Sequence, residues 1–136
     1  MNTFPLNDHW TVEYFEPNID GFEMAPSVQE IPRLPEWKCA GRFAESGFYA
    51  WLQRPFELVM TDYCVRYVVQ VEHAPRTTKI YVNDRHLADC TEDMQRVDIT
   101  DAVSLGKNRL SLRVDCVNDA QQQFESILLL QMFCDK

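Results

Sequence analysis

Trp51 and Arg54 stand three residues apart in Tyr49–Leu58, YAWLQRPFEL. An indole offers a flat apolar surface that suits one face of a sugar ring, and its π face attracts cations. The plainer use of the same pair is structural: Trp51 fills core and Arg54 pairs with a carboxylate. Asn83 could bind a sugar hydroxyl through its amide. It could equally serve the turn at Asn83-Asp84, because Asn and Asp tolerate positive φ better than most side chains. Asn118-Asp119 follows a core strand and should fall in a loop at one end of the fold. Trp37, between a proline and the Gly41 loop, is a possible surface platform, with burial the safer expectation.

Other chemistry finds little support. His9, His73 and His86 are far apart, and no His or Cys pair has metal-ligand spacing. A structural calcium held by carbonyls and carboxylates would leave no sequence signature, so it stays open. Glu92-Asp93 lie together on an expected loop, with no desolvating pocket to raise one pKa for acid/base work. Nothing local suggests a Cys–His nucleophile. The four glycines are not grouped, so no phosphate-binding loop is present. No catalytic residue is assigned.

A formal charge of −8 disfavours nucleic acid and anionic membrane as partners. No apolar run approaches the ~20 residues of a membrane helix. The start, MNTFPLNDHW, lacks the basic and apolar regions of a signal peptide, which points to the cytoplasm. Cys39, Cys64, Cys90, Cys116 and Cys134 are odd in number and widely spaced. They read as reduced, largely buried thiols, with secreted disulfides as the alternative.

These residues need a scaffold, and the chain's alternation supplies one. Tyr63, Val65, Tyr67, Val69 and Val71 alternate with Cys64, Arg66, Val68, Gln70 and Glu72, so the first set can enter a core together. Strands are expected at 49–58, 63–72, 77–82, 85–90, 96–100 and 109–117. Pro55 confines the first to an edge or a bulge. Val97 and Ile99 should share one face, as should Leu110, Leu112, Val114 and Cys116. Thr100 could cap a short helical turn at 101–105, with 106–108 as a turn. The last segment fits both a helix and a strand, and the run of short strands before it favours a strand.

Residues 1–38, with five prolines, are expected to form an irregular arm. One short strand at Trp10–Tyr14 is possible there, with Phe4, Trp10, Tyr14, Phe15, Phe22 and Trp37 buried against the sheets. The whole reads as one all-β domain over 1–136, an antiparallel β-sandwich.

The order of motifs resembles the N-terminal sugar-binding domain of family 2 glycoside hydrolases, which include β-galactosidases, β-glucuronidases and β-mannosidases. Trp51, Arg54 and Phe56 are similar to the family's W-x-x-R-x-F strand. Ile80-Tyr-Val-Asn83 is similar to its v-y-v-N-G hairpin, and Val97-Asp-Ile-Thr100-Asp to its f-d-v-T segment. Gly106-Lys-Asn108-Arg-Leu110-Ser-Leu-Arg-Val114 is similar to its G-x-N-x-L-x-v-x-v strand. Four motifs thus fall in order over about residues 48 to 116. The resemblance implies a galactose-binding-domain-like jelly roll.

The departures are Asp84 where the family has Gly, a missing Gly-rich stretch between Ala88 and Arg96, and the absence of the family's catalytic barrel. The resemblance also implies that Asp119 sits where an acidic loop residue can reach the substrate. The function to expect is a non-catalytic carbohydrate-binding-like module without cofactor. Its partner would be a carbohydrate or a glycoside hydrolase chain, and homo-oligomers are possible. The alternative is a protein-interaction or structural subunit that keeps the sandwich and binds no sugar.

Overall fold

The computed structural model describes residues 2–15, 29–37, 49–59, 64–75, 77–115 and 124–133. Among these residues are ten strands: β1 Asn2–Pro5, β2 Trp10–Phe15, β3 Gln29–Ile31, β4 Tyr49–Leu58, β5 Val65–Glu72, β6 Lys79–Val82, β7 Arg85–Asp89, β8 Met94–Asp98, β9 Gly106–Asp115 and β10 Ser126–Phe133. Four form a sheet in the order β1-β10-β5-β8, and six form a second in the order β3-β2-β4-β9-β6-β7. Every pairing is antiparallel. This is the sandwich that period-two burial requires.

The core lies between the sheets. Val12, Leu52, Ile80, Leu112 and Val114 come from the six-stranded sheet, and Val69, Val71, Val97, Ile127 and Leu129 from the four-stranded one. Removing such side chains from water is the main favourable term in folding, at ~1.5–3 kcal/mol for each fully buried aliphatic. Leu6 and Trp10 belong to the same cluster. They are fixed where the chain passes from β1 to β2. Leu6 N–H donates to Ile127 O at 2.8 Å, and Trp10 Nε1 donates to Leu6 O at 2.6 Å.

The described residues of the first 38, namely 2–15 and 29–37, are more regular than the prolines of this stretch suggest. β1 pairs with β10, and β2 lies inside the six-stranded sheet between β3 and β4. Pro5 and Pro32 stand at strand ends, where a missing N–H costs little. Trp10, Tyr14 and Trp37 are buried as expected, but Phe4 sits on an edge strand and is 46% exposed.

Further differences concern boundaries and phase. Gly106, with φ of +90°, opens β9, so 106–108 is strand rather than turn. The helical turn is a 3-10 turn at Thr100–Ala102 that Thr100 does not cap. The Thr100 hydroxyl instead accepts from Tyr67 N–H at 2.9 Å. β10 is a strand, as the run of short strands favours, and Ile127 and Leu129 are its residues in the core. Its outer face still covers Leu130, and Val68 directly opposite is also buried. Cys64 is exposed and Cys90 buried. Tyr63, Phe22, Cys39, Cys116 and Cys134 lie outside the described residues.

Candidate functional site

The outer face of the six-stranded sheet is the part of the fold that its core does not explain. Leu52 of β4 points inward, so Tyr49, Trp51 and Gln53, at odd positions, share the opposite face. Register extends that face across the sheet. One row runs Glu13, Trp51, Arg113, Lys79, Asp89, and the next runs Thr11, Gln53, Ser111, Tyr81, His86. Directly opposed residues on one face have Cβ atoms about 4.5–5.5 Å apart, close enough for their side chains to pack.

Aromatic rings tie the rows together. Trp51 packs on Tyr81 at 4.9 Å between centroids, tilted by 57°. Tyr81 packs on His86 at 5.0 Å. Phe15 stacks on Tyr49 at 5.4 Å, and the Arg113 guanidinium lies 4.3 Å from the Tyr49 ring centroid. Trp51, Tyr49, Tyr81 and Phe15 are half-buried, so part of each residue stays accessible to solvent.

Trp51 therefore does not fill the core. The sequence expectation fails by phase alone: Ala50 and Leu52 take the inward positions, and the indole lies on the outer surface. His86 carries a second tie, since its Nε2 lies 2.7 Å from Asp89 Oδ1. A bulge between Ile80 and Tyr81 shifts the β6–β7 register, and this is what brings His86 opposite Tyr81.

Two polar atoms of this face lack partners. Ser111 Oγ and Arg113 Nε are inaccessible to solvent and make no hydrogen bond among the described residues. Arg113 Nε lies 3.9 Å from Asp115 Oδ1, beyond hydrogen-bonding reach.

Arg54 is engaged elsewhere. Its Nε donates to Asp8 O at 2.9 Å, Nη1 to Pro55 O at 2.7 Å and Nη2 to Asp8 Oδ1 at 3.2 Å. These bonds clamp the β1–β2 turn onto β4, and the carboxylate pairing is the one its strand position suggests. The hydrogen bond from Arg54 holds the Asp8 carboxyl below its ordinary pKa.

Asn83 is also occupied. Asn83 and Asp84 have φ of 49° and 67°, the two left-handed residues of a type I′ hairpin turn between β6 and β7. Asn83 Nδ2 donates to Ala102 O and to Asn108 Oδ1, each at 2.8 Å, and its Oδ1 accepts from Arg109 N–H at 2.9 Å. Asp84 pairs with Arg109. Asp119 lies outside the described residues.

The structure thus brings Trp51 together with Tyr81, His86 and Arg113, and holds Arg54 and Asn83 in separate structural networks. Sequence reasoning missed Tyr81, His86 and Arg113. The available signal was strand parity: Tyr81 and Arg113 occupy the positions between the inward Ile80, Leu112 and Val114. Among the described residues no group of three His, Cys, Asp or Glu could hold a metal ion.

No protein-family model matches the sequence, and no curated protein matches it. Solved structures do. An FMN-binding β-glucuronidase from Faecalibacterium prausnitzii superposes with a TM-score of 0.71 at 16% identity, over 96% of this chain and 22% of that one. A glycosyl hydrolase family 2 member from Bacteroides cellulosilyticus gives 0.69 at 16% identity, over 97% and 21%. A rhamnosidase from a Novosphingobium species gives 0.62 at 16% identity, over 96% and 15%. The chain spans about a fifth or less of the length of these three solved chains. At such identities the likeness speaks for architecture alone: this chain has the fold of a domain that occurs within family 2 glycoside hydrolases.

Proposed function

We propose that this chain is a non-catalytic carbohydrate-binding-like module whose ligand lies on the outer face of the six-stranded sheet. The observation that carries the reading is the position of Trp51. A large indole has left the core and stands beside Tyr81 among polar side chains. Sugars combine apolar C–H faces with a rim of hydroxyls. A half-buried indole and phenol can pack against the first, while Gln53 and His86 reach the second. The non-catalytic reading is supported by the small share of each matched glycosidase that this fold fills.

Calorimetric titration with β-galactosides, glucuronides and mannosides tests it, with tryptophan fluorescence as a second readout. Saturable binding that Trp51→Ala abolishes without loss of fold is the expected outcome. No heat and no spectral change up to millimolar sugar would remove the reading.

A second reading is a protein-interaction or structural subunit that keeps the sandwich and binds no sugar. Its support is that the matched folds lie inside chains several times longer. Light scattering separates the two: a monomer that binds sugar favours the first, and a self-associating protein deaf to sugar favours the second.

A further inference from the structure

The exposed apolar side chains are unevenly placed. Among the described residues six large ones are exposed, and four of them, Val59, Leu105, Met132 and Phe133, lie at one end of the sandwich. Leu58 and Gly106 are the last pair of the β4–β9 ladder, so Val59 and Leu105, the next residue on each side, leave it together. Met132 and Phe133 close β10 opposite Arg66 and Val65, where β5 begins. The segment 99–104 ties the two sheets at this end. Ile99 N–H donates to Tyr67 O at 2.8 Å, and Asn83 Nδ2 donates to Ala102 O at 2.8 Å. The other two, Phe4 and Met94, stand apart on the edge strands β1 and β8.

Val59 and Leu105 are 74% and 60% exposed. Leu105 is not on a slack loop. Buried Asn108 accepts from Ser104 N–H and donates to Ser104 O and Gly106 O, the residues on either side of it. A leucine presented this way adds little burial to the isolated chain, and its ordered turn loses little entropy on docking.

The charges around this end balance. Glu57 stands opposite Lys107 in the β4–β9 ladder, Arg66 pairs with Asp98, and Arg109 pairs with Asp84. Asp101 and Arg85 add one exposed charge of each sign. The whole chain, in contrast, carries −8. A site for a basic partner would be acidic, as the chain at large is. Apolar residues within a charge-balanced rim suit another acidic copy instead. Two such copies meet there with least repulsion, and a rim holding both signs can be complementary to itself.

We propose that this end of the sandwich is the contact surface of a two-fold symmetric dimer, with Val59 and Leu105 packed against the same patch of a second copy. Six strands ~4.8 Å apart, in sheets ~10 Å apart with their outer side chains, give an end of about 600 Å². That is below the ~800 Å² that each partner gives to a standard interface, so the dimer should be weak, in the micromolar range. This surface is separate from the outer face of the six-stranded sheet, so the dimer and the sugar-binding reading stand or fall independently.

The test is sedimentation velocity with light scattering on the full chain, from about 1 to about 500 μM. The average mass should climb from the monomer towards twice that value and level off. Leu105→Asp and Val59→Asp should each weaken association by at least about tenfold. Both sites are exposed, so circular dichroism and melting should match the parent. Met94→Asp adds the same charge on an edge strand away from this patch and should leave association intact. Higher salt screens the net repulsion and should tighten the dimer.

A parent that stays monomeric throughout overturns the proposal and leaves a different chain as the occupant of this end. Association that survives both substitutions at the patch, or that Met94→Asp weakens equally, overturns the assignment of the surface. Mass that climbs past the dimer without levelling overturns the closed two-fold contact. Sugar titration of monomeric Leu105→Asp then reads the sugar-binding proposal by itself.

Discussion

Replacing Asn83 separates a turn residue from a ligand residue, and the structure sets the size of the effect. Its side chain makes three hydrogen bonds: to Ala102 O, to Asn108 Oδ1 and from Arg109 N–H. The last continues the sheet, because Asn83 N–H also donates to Arg109 O at 2.9 Å. Asn83 is exposed, so water can replace part of what is lost, and each bond is taken at ~0.5 kcal/mol, the low end of the usual range. An alanine must also hold the left-handed φ of 49°, which costs about a further 1 kcal/mol. Asn83→Ala should therefore destabilise by ~2.5 kcal/mol in urea unfolding. Asn83→Gly escapes the backbone penalty and should cost about 1 kcal/mol less.

Asn108 provides the control. It is 4% exposed, and its amide serves the same junction. Oδ1 accepts from Asn83 Nδ2 and from Ser104 N–H, while Nδ2 donates to Ser104 O and Gly106 O. Asn108→Ala removes all four bonds from a buried group and should cost ~3 kcal/mol or more. The expected order of loss is Asn108→Ala, then Asn83→Ala, then Asn83→Gly. An Asn83→Ala protein within ~0.5 kcal/mol of the parent would refute the reasoning. A glycine variant less stable than the alanine variant would refute the backbone part of it.

Two further substitutions read other parts of the structure. Tyr14 is buried, and burial raises its phenol pKa against the opposing hydrogen bond from Trp37. The fold thus favours the neutral phenol, so Tyr14's contribution is complete below the unfolded-state value of ~10 and is lost as pH rises through the folded value. Stability should fall on the alkaline side, and Tyr14→Phe should flatten that limb. The variant should also cost ~1–3 kcal/mol at neutral pH by stranding Trp37 Nε1–H, which donates to Tyr14 Oη at 3.0 Å. Denaturant midpoints across alkaline pH check both effects, and an unchanged slope would count against them. Ser111 Oγ is buried without a partner, so Ser111→Ala should raise stability by ~1 kcal/mol. A loss of stability on thermal or urea unfolding would mean that this hydroxyl is satisfied after all.

Alternation made most of the sandwich legible, because burying one face of a strand fixes every second side chain at once. The Val69/Val71 and Leu110/Leu112/Val114 sets read correctly for that reason. β10 was harder. Leu128, Leu129 and Leu130 are adjacent apolar residues, and a run of leucines carries no phase, so the segment fits helix and strand spacing alike and its inward face could not be read. The N-terminal strands were obscured by proline, whose penalty vanishes at strand ends, as at Pro5 and Pro32. Of the candidate site, the hairpin at Asn83-Asp84 was visible in residue type. The partners of Trp51 were not, because Tyr81 and Arg113 lie on different strands and only register joins them.

The Trp51 result shows why a large aromatic is a poor guide to the inside of a sheet. β4 is central, with β2 on one side and β9 on the other, so both of its faces have neighbours to pack against. On the inner face the facing sheet leaves room for Ala50 and Leu52, both 0% exposed. On the outer face nothing lies above the strands among the described residues, and only rows of long side chains can shelter a ring. Tyr81, Arg113 and Glu13 do this in part, and the rings remain half-buried. Trp51 is half-buried there, so its neighbours still remove part of its ring from water. Register sets charges on this row in both senses: Lys79 stands opposite Arg113 on one side and Asp89 on the other, and Arg113 lies near Asp115, so the like-charge contact is offset by its acidic neighbours.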